Sequence, residues 1–292
     1  MCGPVRPPGS IRPAEMMAKH GLAPSKQRGQ NFLTDANVID KVVSAAGLTC
    51  DDVVVEIGPG FGALTFGLAE AARHVVAVEI DTGIARAFRD EFGERDGITL
   101  VNADILDFDL ERAAGRFGVD GLVVVGNIPY SVTSPLVRRL VEQRERVVRC
   151  LLMVQSEVGD RIASEPGDDA YSGLSVVTRY HARVRRRFTV KRTCFHPRPK
   201  VDSGVIEIVF DSGLGRRSDP GVFETVVRAA FGKRRKMLRR SLRELLNERG
   251  LTASQLEAET GIDLSRRGET LSVEEFDELS RALQGSGAET AR

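Results

Sequence analysis

The first half of the chain alternates short, continuous apolar runs with segments of helical periodicity. The apolar runs have the length of buried strands and occupy residues 53–57, 74–80, 98–102, 121–126 and 147–154. The segments of helical spacing lie between them, at residues 34–46, 63–72 and 82–91 and from 135 onward. Strands that are apolar on both faces and alternate with helices are typical of a parallel sheet covered on both sides. The pattern therefore predicts an α/β fold with a doubly wound sheet.

The pattern changes in the second half of the chain. Two further predicted strands, 184–190 and 205–210, are separated by Pro197, Pro199 and Gly204, and they predict an antiparallel pair at one edge of the sheet. Beyond them only helical periodicity remains, at residues 223–231, 236–247, 252–259 and 273–283. We therefore expect a disordered extension at 1–25, a first domain at 26–210, a linker at 211–221, a small helical domain at 222–285 and a disordered tail at 286–292.

The composition is that of an ordinary globular protein. Of the 292 residues, 41% are apolar and 28% charged, which excludes collagen, coiled coils and wholesale disorder. The sequence has no apolar run of membrane-spanning length and no secretory signal. The four cysteines and four histidines show no metal-ligand spacing. We expect a cytoplasmic protein with reduced thiols, no metal and no membrane contact, and a monomer because no segment indicates an oligomer interface.

The net charge of +1 hides an uneven distribution. Residues 34–135 hold 7 basic against 17 acidic side chains, whereas the flanking residues 1–33 and 136–292 carry net charges of +4 and +7. Two windows contain no acidic residue at all: 179–200 has nine basic side chains and 228–243 has eight. Two basic windows beside an acidic half favour a polyanionic partner such as RNA.

The arginines of both windows share faces of predicted elements. In the first window they alternate along a predicted strand and so lie on one side of it: Arg183, Arg185 and Arg187. In the second they fall on the turns of an amphipathic helix whose other side carries leucines: Arg234, Arg235, Arg239, Arg240 and Arg243. We expect these side chains to contact RNA phosphates, which position a protein without specifying sequence.

A glycine-rich turn follows the first predicted strand. Gly58 and Gly60 allow a sharp turn and a close backbone approach to a ligand, and Glu79, 21 residues after Gly58, is placed to accept hydrogen bonds from ribose hydroxyls. Pro59 removes an N–H that a pyrophosphate could use. The turn therefore favours S-adenosylmethionine over a nicotinamide dinucleotide, which stays as an alternative. Asp104, just past the third predicted strand, could accept from the adenine amine of the cofactor.

The most informative motif ends the fourth predicted strand, at residues 127–130. The lone pair of an adenine amine is delocalised into the ring, which makes methyl transfer to it difficult. The side-chain oxygen of Asn127 and a backbone carbonyl at Ile128 or Pro129 could accept its two N–H bonds and hold it. Pro129 stiffens this loop, and Tyr130 offers a face on which an extruded base can stack.

Taken together, these motifs resemble the ribosomal RNA adenine N6-dimethyltransferases. The resemblance spans residues 26–284 and depends on the segments QNFL at 30–33, EIGPG at 56–60, NIPY at 127–130 and FHPRPKVDS at 195–203, together with Asp35, Glu79 and Asp104. It implies a Rossmann-like methyltransferase sheet followed by a helical RNA-binding domain. It also implies roles for individual residues. The cofactor-binding set would be Asn31, Leu33, Gly58, Gly60, Glu79, Asp104 and Asn127, and the catalytic set Asn127, Pro129, Tyr130 and Phe195, with Phe195 stacking on the target base opposite Tyr130.

Two branches of the family share these motifs. One dimethylates two adjacent adenosines near the 3′ end of 16S rRNA, in the loop of helix 45, within a small ribosomal subunit precursor. The other, the erythromycin-resistance methyltransferases, modifies one adenosine of 23S rRNA. Residues 231–236 and 267–276 are similar to the helical domain of the 16S branch, which we therefore favour. The 23S activity, and a role in assembly that acts mainly by binding, stay as alternatives.

Overall fold

The computed structural model describes residues 12–25, 29–129, 132–233 and 235–285. Tyr130 and Arg234, which the sequence marks as candidate site residues, lie outside these ranges, as does the predicted tail at 286–292. The chain forms two compact units, one made of Met1–Gly159 with Arg183–Phe210 and the other of Asp160–Ala182 with Asp211–Arg292. Residues 160–182 therefore belong to the second unit, although the sequence pattern assigns them to the first.

A seven-stranded sheet forms the centre of the first unit. The strands of the chain are β1 Phe32–Leu33, β2 Val53–Ile57, β3 His74–Glu79, β4 Ile98–Asn102, β5 Leu122–Asn127, β6 Val147–Gln155, β7 Ala182–Val190, β8 Phe195–His196 and β9 Ser203–Phe210. The strand order in the sheet is β4-β3-β2-β5-β6-β9-β7. The first five strands of that order are parallel, and β9 is antiparallel to β6. The predicted parallel sheet with an antiparallel edge is confirmed.

The interior strands are buried because their sequences are apolar on both faces. Every residue of β2 is buried, as are all but the first of β3 and all but the last of β5. Parallel strands need this cover, since each is followed by a helix that crosses a face of the sheet. The helices beside the sheet are α2 Ala36–Ala45, which precedes β2, and the crossover helices α3 Thr65–Ala71, α4 Thr82–Phe92, α5 Leu110–Phe117 and α6 Thr133–Glu142. Three of them begin at aspartate caps, Asp35, Asp81 and Asp109.

The extension predicted to be disordered contains a helix, α1 Pro13–Lys19. Its Met17 is buried in a cluster with Phe61, Ile84 and Ala87. The prediction is wrong for this segment, because a helix of seven residues is too short to show clear periodicity and is stabilised by packing on distant residues. Residues 1–11 lie outside the described ranges.

The second unit is helical. Its helices are α7 Ser156–Ala163, which begins in the first unit, α8 Gly173–His181, α9 Pro220–Gly232, α10 Leu238–Ser241, α11 Arg243–Glu248, α12 Ala253–Thr260 and α13 Val273–Gly285. Its core contains Tyr180 stacked on Phe223, with ring centroids 3.8 Å apart, and the fully buried Phe276. The last helix begins at a capping box, since Glu275 N–H donates to the Ser272 hydroxyl and Ser272 N–H to the Glu275 carboxylate.

The single helix predicted at 236–247 is instead two short helices, α10 and α11. The N–H groups of Leu238 and Arg239 donate to the carbonyls of Arg266 and Leu264, so the chain entering α10 pairs with another segment. Leu242 lies between the two helices and is buried. Met237, which immediately precedes α10, is 42% exposed. These long-range backbone hydrogen bonds interrupt the predicted helix, and hydrophobic periodicity along the chain does not indicate them.

Cysteine chemistry differs from expectation at one position. Cys150 and Cys194 are free thiols, as expected, whereas Cys50 is disulfide-bonded. Spacing along the chain gives no signal of such a pair, since the four cysteines are far apart. Within the described ranges, no helix is both long and apolar enough to cross a membrane, and no group of three metal-ligating side chains is present.

Candidate active site

One cavity of about 300 Å³ lies at the carboxyl edge of the sheet. Strands β2, β3, β4 and β5 run parallel, so the residues that follow them converge at this edge. The cavity is lined by every described residue of the predicted cofactor-binding and catalytic sets: Asn31, Leu33, Gly58, Gly60, Glu79, Asp104, Asn127, Pro129 and Phe195. Motifs that are as far apart as residues 31 and 195 thus contribute to one site.

The glycine turn after β2 adopts a backbone that other residues resist. Gly58 has φ +65° and Gly60 has φ +56°, both in the left-handed region. A Cβ at Gly60 would lie 2.9 Å from the Phe32 ring, so the turn and residue 32 are in close contact. Gly58 N–H donates to the Val78 carbonyl at 2.9 Å, which ties the turn to β3. The turn therefore holds its backbone against the cavity.

Glu79, the last residue of β3, is oriented by the backbone around it. Its Oε2 accepts the Gly60 N–H at 3.1 Å and its Oε1 accepts the Asp81 N–H at 2.9 Å. The side chain is only 5% exposed, yet it lines the cavity. Two hydrogen bonds from fixed backbone groups give the carboxylate one orientation, and an ionised carboxylate has acceptor positions beyond two. This geometry suits recognition of a vicinal diol.

Asp104 follows β4 in a turn. Its Oδ1 accepts the Leu106 N–H at 2.9 Å, and its carbonyl accepts the Asp107 N–H at 3.1 Å. The other carboxylate oxygen, Oδ2, accepts no hydrogen bond from the residues that the structure describes. Because Asp104 lines the cavity between Ala103 and Ile105, the same side chain stabilises the turn and presents an acceptor to a ligand.

Asn127 ends β5, and its side chain is held by the N-terminal segment. Its Nδ2 donates to the Asn31 carbonyl at 2.7 Å, which leaves Oδ1 as an acceptor. Glycine is required just before it, since a Cβ at Gly126 would lie 2.8 Å from the Ile57 carbonyl oxygen. Asn127 therefore lies beside the glycine turn with a defined amide orientation.

The two backbone carbonyls after Asn127 differ in their availability. The Pro129 carbonyl accepts the Val132 N–H at 3.1 Å and the Thr133 hydroxyl at 3.4 Å. The Ile128 carbonyl accepts no hydrogen bond from any described residue, and the Ile128 N–H donates to the Met153 carbonyl at 2.8 Å. Of the two acceptors that the sequence leaves open, the structure favours Ile128.

Phe195 lines the cavity from a short strand that forms a two-stranded antiparallel sheet. Strands β1 and β8 are antiparallel, with Leu33 opposite Phe195 and Phe32 opposite His196. The Phe195 ring is 5% exposed and belongs to a core cluster that also contains Met153. Only a small part of the ring is therefore available at the cavity wall, less than a freely exposed stacking platform would offer.

Glu56 is a cavity residue that the motif analysis did not single out. It lies inside the apolar strand β2, is 1% exposed, and lines the cavity. Its Oε2 has no hydrogen-bond partner among the described residues. Burial raises the pKa of Glu56 to about 8, and the charge of Glu79 adds to this increase, which the Thr65 hydroxyl opposes. The available signal was a carboxylate within a strand of valines and isoleucine, since buried acids are rare without a purpose.

The candidate RNA-binding arginines lie on exposed surfaces of their respective units. Arg183, Arg185 and Arg187 are exposed on one face of β7, and Arg187 pairs with Glu207 at 3.4 Å. In the helical unit, Arg235, Arg239 and Arg240 are exposed. Arg234 lies outside the described residues.

The buried carboxyl of Glu56 predicts a pH dependence of stability in the ligand-free protein. The folded-state pKa of about 8 exceeds the ordinary value of 4.5, so between these values the folded protein holds a proton that the unfolded chain has lost. The free energy of unfolding should fall by about 1.4 kcal/mol per pH unit in this window. Glu56→Gln removes this contribution, so urea denaturation should show a larger stability gain over wild type at pH 8 than at pH 5. An equal gain at both pH values would contradict the assignment.

Comparison with known proteins is consistent with this geometry. Ribosomal RNA small subunit methyltransferase A of Moorella thermoacetica is 42% identical over 280 residues, covering 94% of this chain and 97% of the relative. The protein of the same name from Geobacillus thermodenitrificans is 40% identical, covering 93% and 95%.

Solved structures share the fold. A dimethyladenosine transferase from Plasmodium falciparum superposes with a TM-score of 0.76 at 22% identity, over 88% of this chain and 98% of that one. The 23S rRNA methyltransferase ErmE superposes with a TM-score of 0.68 at 27% identity, over 87% and 100%. The family model described as ribosomal RNA adenine dimethylase matches residues 23–280, and the chain belongs to this family.

Proposed function

We propose that this protein dimethylates N6 of two adjacent adenosines near the 3′ end of 16S rRNA, in the loop of helix 45, using S-adenosylmethionine. The observation that carries the proposal is that Asn127 adjoins the glycine turn in one cavity, with Glu79 and Asp104 on the same edge of the sheet. Relatives named as small-subunit enzymes, about 40% identical over nearly the whole chain, support the choice of substrate. The protein acts as a monomer on a precursor of the small subunit in the cytoplasm.

The residues of the cavity fit S-adenosylmethionine. Glu79 holds the ribose hydroxyls, Asp104 accepts from the adenine amine, and Gly58 borders the methionine part. Asn31 and Leu33 close over the methionine part, and Gly60 completes the wall. Among the described lining residues there are three carboxyl groups and no lysine, arginine or histidine, which suits a ligand of net positive charge. The cofactor, when bound, supplies a methyl group on a sulfonium centre.

Asn127 positions the target amine. Its Oδ1 and the Ile128 carbonyl accept the two N–H bonds of adenine, which fixes the nitrogen and aims its lone pair. Pro129 keeps the loop rigid, and Phe195 and Tyr130 contact the faces of the extruded base. No side-chain base is needed, because the amine becomes acidic once alkylated and can lose its proton to water. Positioning of this kind can contribute roughly 7–11 kcal/mol to lowering a barrier.

The arginines of both units bind rRNA phosphates. Arg183, Arg185 and Arg187 present charge from β7, and Arg235, Arg239 and Arg240 present it from the helical unit. Arg234, which lies outside the described residues, is assigned the same role. Because phosphate contacts position a protein without specifying sequence, selection of the target depends on the folded shape of the ribosomal RNA.

The test of this function uses purified ribosomal precursors. Small-subunit particles lacking the modification should gain four methyl groups on two adjacent adenosines when incubated with the protein and S-adenosylmethionine, measured by mass spectrometry of 16S fragments. Large-subunit RNA is the control, because the fold similarity to ErmE makes 23S rRNA the second candidate substrate. Methylation confined to 23S rRNA would refute the proposal.

Asn127→Ala should separate catalysis from binding. Methylation should fall by on the order of 10²-fold or more, because the target amine loses one of its two acceptors, while affinity for the small-subunit particle stays within about twofold. Asn247→Ala, at an exposed position of α11, is the matched control and should retain wild-type activity. Unchanged methylation by Asn127→Ala would refute its role, and loss of particle binding would show that Asn127 acts in docking.

The helical unit should contribute salt-dependent affinity. The double variant Arg239→Ala/Arg240→Ala removes two exposed charges, so affinity for the particle should drop roughly tenfold and the log–log salt slope should become shallower by about 1.5. Filter binding between 50 and 200 mM salt measures both quantities. Arg86→Ala, an exposed arginine on α4 of the acidic half, should leave the slope unchanged. An identical slope for the double variant and wild type would exclude these contacts.

A further inference from the structure

The Glu56 carboxyl is buried without the partners that a buried acid ordinarily has. It is 1% exposed in the middle of the sheet, and its Oε2 accepts no hydrogen bond from the described residues. The buried Thr65 hydroxyl lowers the pKa of this carboxyl, but its effect is smaller than that of burial. A buried acid that lacks hydrogen-bond partners destabilises a protein. Its presence beside a cavity therefore indicates that a ligand supplies the missing interaction.

The surroundings of Glu56 offer no positive charge to stabilise its ionised form. The titratable groups that line the same cavity are Glu79 and Asp104, both acids, and the described lining residues include no lysine, arginine or histidine. Glu79 repels a negative charge on Glu56. The missing countercharge must therefore come from outside the protein.

The position of Glu56 along the chain places it near the end of the cavity that Gly58 lines. It precedes Gly58 by two residues on β2, whereas the ribose-binding Glu79 ends β3 and Asp104 follows β4. In the proposed binding mode the methionine part of S-adenosylmethionine borders Gly58 and Asn31, so its α-ammonium group is the nearest cation to this end. This step depends on the proposed function, because it takes the identity of the cofactor from it.

We propose that Glu56 is the countercharge of the cofactor α-ammonium group and that it releases its proton to solvent when the cofactor binds. In the ligand-free protein Glu56 is a neutral acid. In the complex it is a carboxylate paired with the ammonium group, and the proton passes to the buffer. The buried acid thus couples occupancy of the site to proton release, and the affinity of the cofactor rises with pH. The raised pKa of Glu56, about 8, places this transition in the physiological range.

Isothermal titration calorimetry in buffers of different ionisation enthalpy measures the released proton directly. At pH 6.5, binding of S-adenosylmethionine to the wild-type protein should release about one proton per site. S-adenosylhomocysteine, which has the same ammonium group and no sulfonium, should release the same number. Methylthioadenosine, which lacks the amino-acid part, should bind without release. Release by methylthioadenosine, or by S-adenosylmethionine alone, would overturn the assignment to the ammonium group.

Two variants separate Glu56 from the other acids of the cavity. Glu56→Gln should bind with no proton release and with an affinity that is independent of pH between 6 and 8, whereas the wild-type affinity should increase by up to about tenfold per pH unit. Asp104→Asn, the matched control, should bind more weakly yet still release the proton. Proton release by Glu56→Gln would refute the proposal.

The titrations of the wild-type protein distinguish a failure of the proposed function from a failure of the role proposed for Glu56. If S-adenosylmethionine fails to bind at any pH, the proposed function fails. If it binds with a heat that is identical in all buffers after correction for dilution, only the role of Glu56 fails, and the methyltransferase activity stands.

Discussion

The parallel alignment of four neighbouring strands is the constraint on which the site depends. Strands β2, β3, β4 and β5 point their carboxyl ends to one edge of the sheet, so a residue that follows any of them is brought to the same cavity. Burial of valine-rich strands drives this alignment, since each strand has two apolar faces to cover. Packing thereby gathers Gly58, Glu79, Asp104 and Asn127 without any direct interaction among all of them.

Local hydrogen bonds then refine what the sheet assembles. Glu79 is oriented by two backbone N–H groups, and the Asn127 amide is fixed by the Asn31 carbonyl. The Asn127–Asn31 bond also joins β5 to the N-terminal segment, so the wall of the cavity and the orientation of the Asn127 amide depend on one contact. Glu56 differs from these two side chains, because its buried Oε2 has no hydrogen-bond partner among the described residues. A buried acid of this kind lowers the stability of the ligand-free fold and raises the affinity of the site for a cation.

Sequence periodicity predicted the sheet well and the helical unit less well. Strands such as β2 and β5 are continuous apolar runs bounded by glycines, and their ends were predicted to within a residue or two. Helices α7 and α8 were missed, and α1 was predicted to be disordered, because their stability comes from distant contacts. Asn127 was identifiable because asparagine, proline and tyrosine together after a buried strand are difficult to explain by packing. Glu56 was not singled out although a carboxylate within a strand of valines is unusual, since only the three-dimensional structure shows that it lines the cavity and that its Oε2 has no hydrogen-bond partner among the described residues.

A crystal structure with S-adenosylhomocysteine would test the central claim most directly, namely that the convergent strand ends form a cofactor site beside the target acceptor. The ribose should lie on the Glu79 carboxylate, the adenine amine on Asp104, and the amino-acid part between the glycine turn and Asn127, with its ammonium group facing Glu56. Density for the ligand at any other surface, or in this cavity with the amino-acid part turned away from Asn127, would contradict the account.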